Sequence, residues 1–190
     1  MLTVKGDGEM ILKNGEKLRD FKYLSPYSEG EKSALEYLNG KKAFVVFLRY
    51  YGCTVCRVDM HNFTKSFPRF REKGVDLCVV LQSDPAVVRE EAPEGTFPFE
   101  IMCDPGQDAY RQFEIKPAKS KLGMVAGNLS GRMKKMKEAK SLGFEHGKYE
   151  GNEQQLPAIV LVDEGGTIIY SHYAKNLADM PSVEEMLKMV

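Results

Sequence analysis

The sequence predicts an α/β domain built on a sheet with parallel strand pairs, and three observations carry that reading. Two apolar runs rich in β-branched and aromatic residues, AFVVFLRY (43–50) and VDLCVVLQ (75–82), read as strands buried on both faces. Between them Cys56, Met60, Phe63, Phe67 and Phe70 recur in steps of four, three, four and three, which lays one apolar stripe along a helix. Further on, AIVLVD (158–163) and TIIYSHY (167–173) flank Glu164-Gly165-Gly166, the pattern of a tight antiparallel hairpin. Parallel neighbours need a long crossover, so strand, helix, strand, helix in succession implies a sheet with parallel pairs.

Residues 1–25 carry MILKNGEKLRDF, where Asn14-Gly15 between alternating apolar positions predicts a hairpin, read as an accessory N-terminal β extension. Ser28 and Glu31 have capping-box spacing ahead of a helix with Ala34, Leu35 and Leu38 on its apolar side, stopped by Asn39-Gly40. The run 43–50 is the expected centre of the sheet. The next helix starts at or just after Cys53, with Cys56 in its first turn, and Pro68 is expected to kink it because proline lacks the amide hydrogen. After the strand 75–82, Ser83-Asp84-Pro85 supplies a cap and a first-turn proline for a short helix ending near Glu91. FEIMCD (99–104) reads as a strand and GQDAYRQFEI (106–115) as a short helix carrying Tyr110 and Phe113. Residues 116–153 are rich in Lys and Gly, and there only LSGRMKKMKEAKSLG has helical character; so long a stretch without strands is usually a functional lid or loop. Its basic segment RMKKMKEAK (132–140) reads as a solvated face, or as a cover for a site or a dock for an acidic reductant. Ser182 and Glu185 open the last helix in capping-box spacing. No internal repeat is visible, and the 190 residues read as one domain, 1–190, long enough to bury a full core.

Formal net charge is 0, so nothing global draws the chain to nucleic acid or an anionic membrane. MLTVKGDGEMILKNG lacks the apolar core of a signal peptide, and no apolar run reaches the roughly 18 residues of a span. A cytoplasmic protein is expected. Four cysteines are too few for a disulfide scaffold, and in a reducing compartment a Cys-x-x-Cys pair is more often catalytic or metal-binding than structural.

That pair sits in FLRYYGCTVCRVDM (47–60), at the corner between an apolar strand and a helix. Three readings compete: a redox couple, half of a metal site, or two small buried side chains. A structural zinc site wants four converging ligands, commonly two such pairs. There is no second pair, and Cys78, Cys103, His61, His146 and His172 are scattered, so no metal and no cofactor are expected. A thiol reacts as its thiolate, and a free cysteine near pKa 8.5 needs activation. A helix start offers unpaired amides and about half a positive charge, which favours an anion at Cys53. Cys53 is therefore the expected attacking thiol and Cys56, one turn on, the resolving thiol. Arg49 and Arg57 adjoin the pair and either can lower a thiolate pKa; otherwise each is an ordinary solvated arginine. Cys78 and Cys103 read as small hydrophobes, with Cys103 as a distant resolving thiol the lesser alternative.

The order of parts resembles the thioredoxin fold, and more closely the peroxiredoxin-like branch of the alkyl hydroperoxide reductase/thiol-specific antioxidant (AhpC/TSA) family. The resemblance rests on FVVFLRYYGCTVCRVDM (44–60), FPFEIMCDPGQDAYRQFEI (97–115) and QQLPAIVLVDEGGTIIYSHYAKNLADMPSVEEML (154–187). It implies a thioredoxin-like α/β fold whose central mixed sheet is flanked by helices, with residues 116–153 inserted before a cis-proline hairpin opened by Pro157. It further implies a peroxide or disulfide substrate, a thioredoxin-type or other dithiol reductant, and a monomer or homodimer. Tyr51, Thr54, Leu156 and Gln155 are the expected substrate rim. One departure stands out. Typical peroxiredoxins carry Pro-x-x-x-Thr/Ser-x-x-Cys; with Cys56 as the attacking residue, Cys53 and Arg49 fill the Thr/Ser and Pro slots, and with Cys53 they are Tyr50 and Val46. Family alignment would give the attack to Cys56, against the helix-start argument. A thioredoxin-like disulfide reductase without peroxidase activity is the alternative; a metal-binding or redox-silent module is the rival from another class.

Overall fold

A computed structural model of the chain describes residues 12–125 and 129–190. Its centre is the strand pair read from the two apolar runs: β3 (Lys42–Phe47) lies parallel to β4 (Val75–Leu81), with Val45 opposite Cys78. β5 (Glu100–Cys103) extends the parallel set beyond β4. On the other side of β3, β6 (Ala158–Val162) and β7 (Ile168–Tyr173) form the antiparallel hairpin around Gly165-Gly166. Two three-residue strands, β1 (Lys22–Leu24) and β2 (Glu31–Ser33), complete a seven-stranded mixed sheet of order β2-β1-β5-β4-β3-β6-β7.

Strand alternation divides the core into two layers. Phe44, Val46, Leu77, Val79, Ile101 and Ile159 face α2 (Thr54–Glu72), α3 (Pro85–Glu91) and α7 (Val183–Lys188). Val45, Phe47, Cys78, Val80 and Val160 face α1 (Ala34–Leu38) and α4 (Asp108–Gln112). The Phe47 ring sits edge-on to Tyr110 and Phe113 at 5.5 and 5.9 Å, in the range where aromatic quadrupoles attract. Helices on both faces of a sheet that is parallel at its centre give a thioredoxin-like α/β architecture.

The apolar stripe on α2 is seated as its spacing requires, with Cys56, Met60, Phe63 and Phe70 buried and Phe67 partly so. The helix continues through Pro68 to Glu72. Several expectations differ from the structure. Ser33 rather than Ser28 caps α1, its hydroxyl accepting from the Glu36 amide at 3.1 Å, because Glu31 is already held in β2 against Leu24. The first arm of the expected N-terminal hairpin lies largely in residues 1–11, outside the described residues; the Asn14-Gly15 turn docks on β7, Gly15 N donating to the Ile168 carbonyl at 2.7 Å. The insertion holds α6 (Leu129–Ser141) as read, and also a short helix, α5 (Lys121–Val125), that lacks periodicity in the sequence. The expected cis-proline is a correction: no peptide bond among the described residues is cis, so Leu156–Pro157 is trans. Pro157 immediately precedes β6, its carbonyl accepting from the Ala174 amide at 3.0 Å, and the ordinary trans preference of X-Pro bonds prevails. No helix among the described residues is long and apolar enough to cross a membrane.

Candidate active site

The corner between β3 and α2 is built by a tight turn, Cys53 N donating to the Tyr50 carbonyl at 3.1 Å. It leaves Cys53 as the N-cap of α2 in extended conformation, φ −72° and ψ 115°. A cap residue turns its side chain back over the first amides. Here that side chain is a thiol, and Cys53 Sγ accepts from the Cys56 amide at 3.3 Å. Cys56 lies one turn further, and both are free thiols, 1% and 4% exposed.

Burial opposes ionisation at Cys53. It is outweighed by the Cys56 thiol, the Arg49 guanidinium and the Cys56 and Val55 amides, which all favour the thiolate and bring the pKa down to about 7. Cys56 moves the other way: burial, then hydrogen bonding to and charge on Cys53, push its thiol well above the ordinary range. The two residues therefore divide into a thiolate and a thiol. A thiolate beside a thiol can attack an electrophilic oxygen or sulfur and then be resolved by its neighbour.

The cation is Arg49, not Arg57. Arg49 is 6% exposed, and its Nη1 donates to the Glu153 carbonyl at 2.9 Å while its Nη2 donates to the Tyr50 hydroxyl at 3.1 Å. Its Nε is buried with no acceptor, so one donor beside the pair is unspent. Arg57 instead lies over the Tyr51 and Phe144 rings, at 5.3 and 4.8 Å. Together with Met60, His61, Thr64, Thr96 and Phe97, those three residues line a cavity of about 170 Å³ along the first turns of α2.

A strap from the insertion, residues 144–153, closes the corner. Gly147 N donates to the Gly52 carbonyl at 2.8 Å, and Tyr50 Oη meets His146 Nε2 at 3.1 Å. Glu150 accepts from the Ser83 hydroxyl at 2.7 Å and from Asp84 N at 2.9 Å, and Asn152 N donates to Gln82 Oε1 at 2.8 Å. Gly52 has to be glycine because a Cβ there would collide with the Lys148 carbonyl. Behind the strap, α6 is fastened to α2 by Lys135–Asp59 at 2.6 Å and Asn62–Glu138 at 2.9 Å.

The expected site residues thus separate. Cys53, Cys56 and Arg49 converge; Thr54 begins α2; Tyr51 is buried, its amide held by Ser83 Oγ at 2.8 Å and its ring at the cavity wall. Gln155 is 2% exposed and turns its amide inward to the Ile115 carbonyl at 2.5 Å and to the Leu156 carbonyl at 3.1 Å. Tyr50 and His146 escaped sequence reasoning as a pair. Their one visible signal is a strand-end tyrosine between the arginine and the Gly-Cys corner. Among the described residues no cluster of three or more His, Cys, Asp or Glu could hold a metal ion.

Comparison with known proteins bears on family and fold. The AhpC/TSA family model matches residues 14–171. A zebrafish (Danio rerio) prostamide/prostaglandin F synthase is 26% identical over 161 residues, covering 84% of this chain and 79% of that protein. A bovine (Bos taurus) peroxiredoxin-like 2C is 23% identical over 164 residues, covering 82% and 70%. Among solved structures, the reduced 2-Cys peroxiredoxin of Plasmodium vivax superposes with a TM-score of 0.64 at 16% identity over 93% of each chain, which attests the fold. The chain belongs to the AhpC/TSA family and is a thiol-dependent oxidoreductase with a thioredoxin-like fold.

Proposed function

We propose that the protein reduces hydroperoxides, with Cys53 as attacking thiolate and Cys56 as resolving thiol. The observation that carries this reading is Cys53 Sγ at the α2 N-cap, under the Cys56 amide and beside Arg49, where its pKa falls to about 7. In the first step the Cys53 thiolate attacks one oxygen of ROOH. The S–O bond forms as the O–O bond breaks, the sulfur becomes a sulfenic acid, and RO⁻ leaves and takes up a proton as ROH. The Cys56 thiol then displaces the sulfenic hydroxyl, giving an internal disulfide and water. A dithiol donor of the thioredoxin type returns both thiols by exchange and leaves as its own disulfide. The unspent Arg49 Nε–H suits the oxygen on which charge develops.

Burial favours a small oxidant over a protein disulfide, since 1% exposure leaves little sulfur for a macromolecule to reach. The apolar cavity reached by Tyr51 and Arg57, residues that bracket the pair in sequence, supports organic hydroperoxides among the substrates. Regeneration by a reductant then requires the 144–153 strap to move. Reduced thiols and a dithiol donor suit a cytoplasmic protein, acting as monomer or homodimer. The absent Pro-x-x-x-Thr/Ser-x-x-Cys motif favours a second reading, a thioredoxin-like disulfide reductase.

Steady-state turnover of hydrogen peroxide and an organic hydroperoxide with a thioredoxin system, run beside an insulin-reduction assay, separates the two. Peroxide turnover with a loss of two thiols per chain supports the peroxidase; insulin reduction without peroxide turnover overturns it.

A further inference from the structure

The strap does more than cover the corner: its contacts close a ring of hydrogen bonds back onto the nucleophile. His146 Nδ1 lies 2.8 Å from the Gly147 carbonyl, which can only accept, so in the neutral ring Nδ1 carries the proton and Nε2 is the acceptor. The Tyr50 hydroxyl, 3.1 Å away, therefore donates to Nε2. That leaves its oxygen lone pairs facing Arg49 Nη2 at 3.1 Å, and a guanidinium can only donate. One carbonyl and one cation, at opposite ends, thus fix the direction of every bond between them. The circuit is completed by Gly147 N on the Gly52 carbonyl at 2.8 Å and by Cys53 N on the Tyr50 carbonyl at 3.1 Å. Tyr50 is fully buried, and the His146 ring is steadied by stacking on Tyr149 at 4.1 Å.

We propose that Tyr50 and His146 are positioning residues: the imidazole carried by the strap orients the Tyr50 hydroxyl, and that hydroxyl holds the Arg49 guanidinium against Cys53. The inserted segment, 96 positions away from Tyr50 in the chain, thereby takes part in activating the thiol it covers. The Arg49 guanidinium is held on Nη1 by the Glu153 carbonyl and Met124 Sδ and on Nη2 by the Tyr50 hydroxyl, which keeps its charge at one distance from the sulfur; with the Nη2 acceptor lost, it pivots about Nη1 and its effect on the thiolate weakens. This rests on the reading of Cys53 as the nucleophile.

The test is the pH profile of Cys53 alkylation by iodoacetamide, followed on the Cys53 peptide by mass spectrometry in the full-length protein. Tyr50→Phe removes the hydroxyl and keeps the ring. His146→Phe keeps the aromatic packing of an exposed residue and removes both ring nitrogens, so it remains informative should the buried variant fold poorly. His146→Gln restores an acceptor. We expect the midpoint to rise in Tyr50→Phe and His146→Phe, with the rate at low pH falling about threefold to tenfold. The double variant should add nothing to Tyr50→Phe, and His146→Gln should recover most of the wild-type profile. A purely structural strap contact would leave the midpoint where it is, and an unchanged midpoint in both single Phe variants overturns the proposal. A wild-type midpoint no lower than that of a free cysteine overturns the nucleophile reading itself, and the relay with it.

Discussion

Cys53 and Cys103 lie at the same carboxyl-terminal edge of the parallel strands, equally withheld from water, and differ in everything else that bears on a thiol. Burial, together with the carboxylates of Glu150, Asp84 and Glu100, pushes Cys103 up to about 12. Cys78, sealed mid-strand opposite Val45, is likewise driven well above the ordinary range by burial, then by Asp76 and Glu100. Cys53 carries the same burial yet is brought down to about 7, because a partner thiol, a guanidinium and two helix amides face it. Enclosure alone silences a cysteine. What makes one reactive is the balance of the charges and dipoles enclosed with it: Lys41 favours the Cys78 thiolate too but is outweighed by burial and two carboxylates, whereas at the β3–α2 corner the favourable groups prevail.

The sharpest way to break the comparison is to remove a sulfur. Cys53→Ser should reduce peroxide-dependent thiol loss to background, whereas Cys78→Ser and Cys103→Ala should leave the two-thiol loss intact; thiol counting in denaturant before and after peroxide reads all three. Should Cys53→Ser still consume peroxide, the attack belongs to Cys56. Next in size is Arg49→Met, which removes the charge while keeping a similar length. By analogy with carboxylates beside a cation, the Cys53 midpoint should rise by about 1 to 2 pH units and alkylation at neutral pH should slow about tenfold or more. An unmoved midpoint would show that the helix amides suffice. Cys56→Ser should allow one oxidation per chain and then stop, with the sulfenic acid trapped by dimedone and no turnover with thioredoxin. Gly52→Ala should act through the strap: displacing the Lys148 carbonyl is expected to cost about 1–3 kcal/mol in chemical denaturation and to raise the alkylation rate above pH 8, where thiolate is plentiful and access is limiting. The smallest effect is expected of Cys103→Ala on stability, about 1 kcal/mol of lost packing by urea denaturation.

Much of this contrast was legible in the sequence, and the reasons are local. The strands at 43–50 and 75–82 and the stripe from Cys56 to Phe70 announce themselves because each is long, apolar and of one period. The Cys-x-x-Cys at a strand-to-helix corner, with Arg49 four residues ahead, exposes the thiols and their cation for the same reason. What the sequence does not display is non-local. β1 and β2 are only three residues each, KYL and EKS, without alternation strong enough to mark them; they exist because Leu24 pairs with Cys103 and Glu31 with Leu24. His146 lies in a Gly- and Lys-rich segment with no spacing to recommend it, and meets Tyr50 only after folding. Its place near Pro157 predicts a rim position for Gln155, but the Ile115 carbonyl draws its amide inward. Pro157 itself carried an expectation borrowed from resemblance, and its trans bond shows that a matched position does not transfer a conformation.

The most direct test of the account is the alkylation rate of Cys53 as a function of pH in the unmodified, fully reduced protein. The account predicts a single rise with its midpoint near pH 7, reactivity falling as pH drops through that value because the thiolate is protonated, while Cys78 and Cys103 stay unlabelled until the protein unfolds. A midpoint near the 8.5 or so of a free cysteine, or labelling of all four thiols together and only on denaturation, would contradict it.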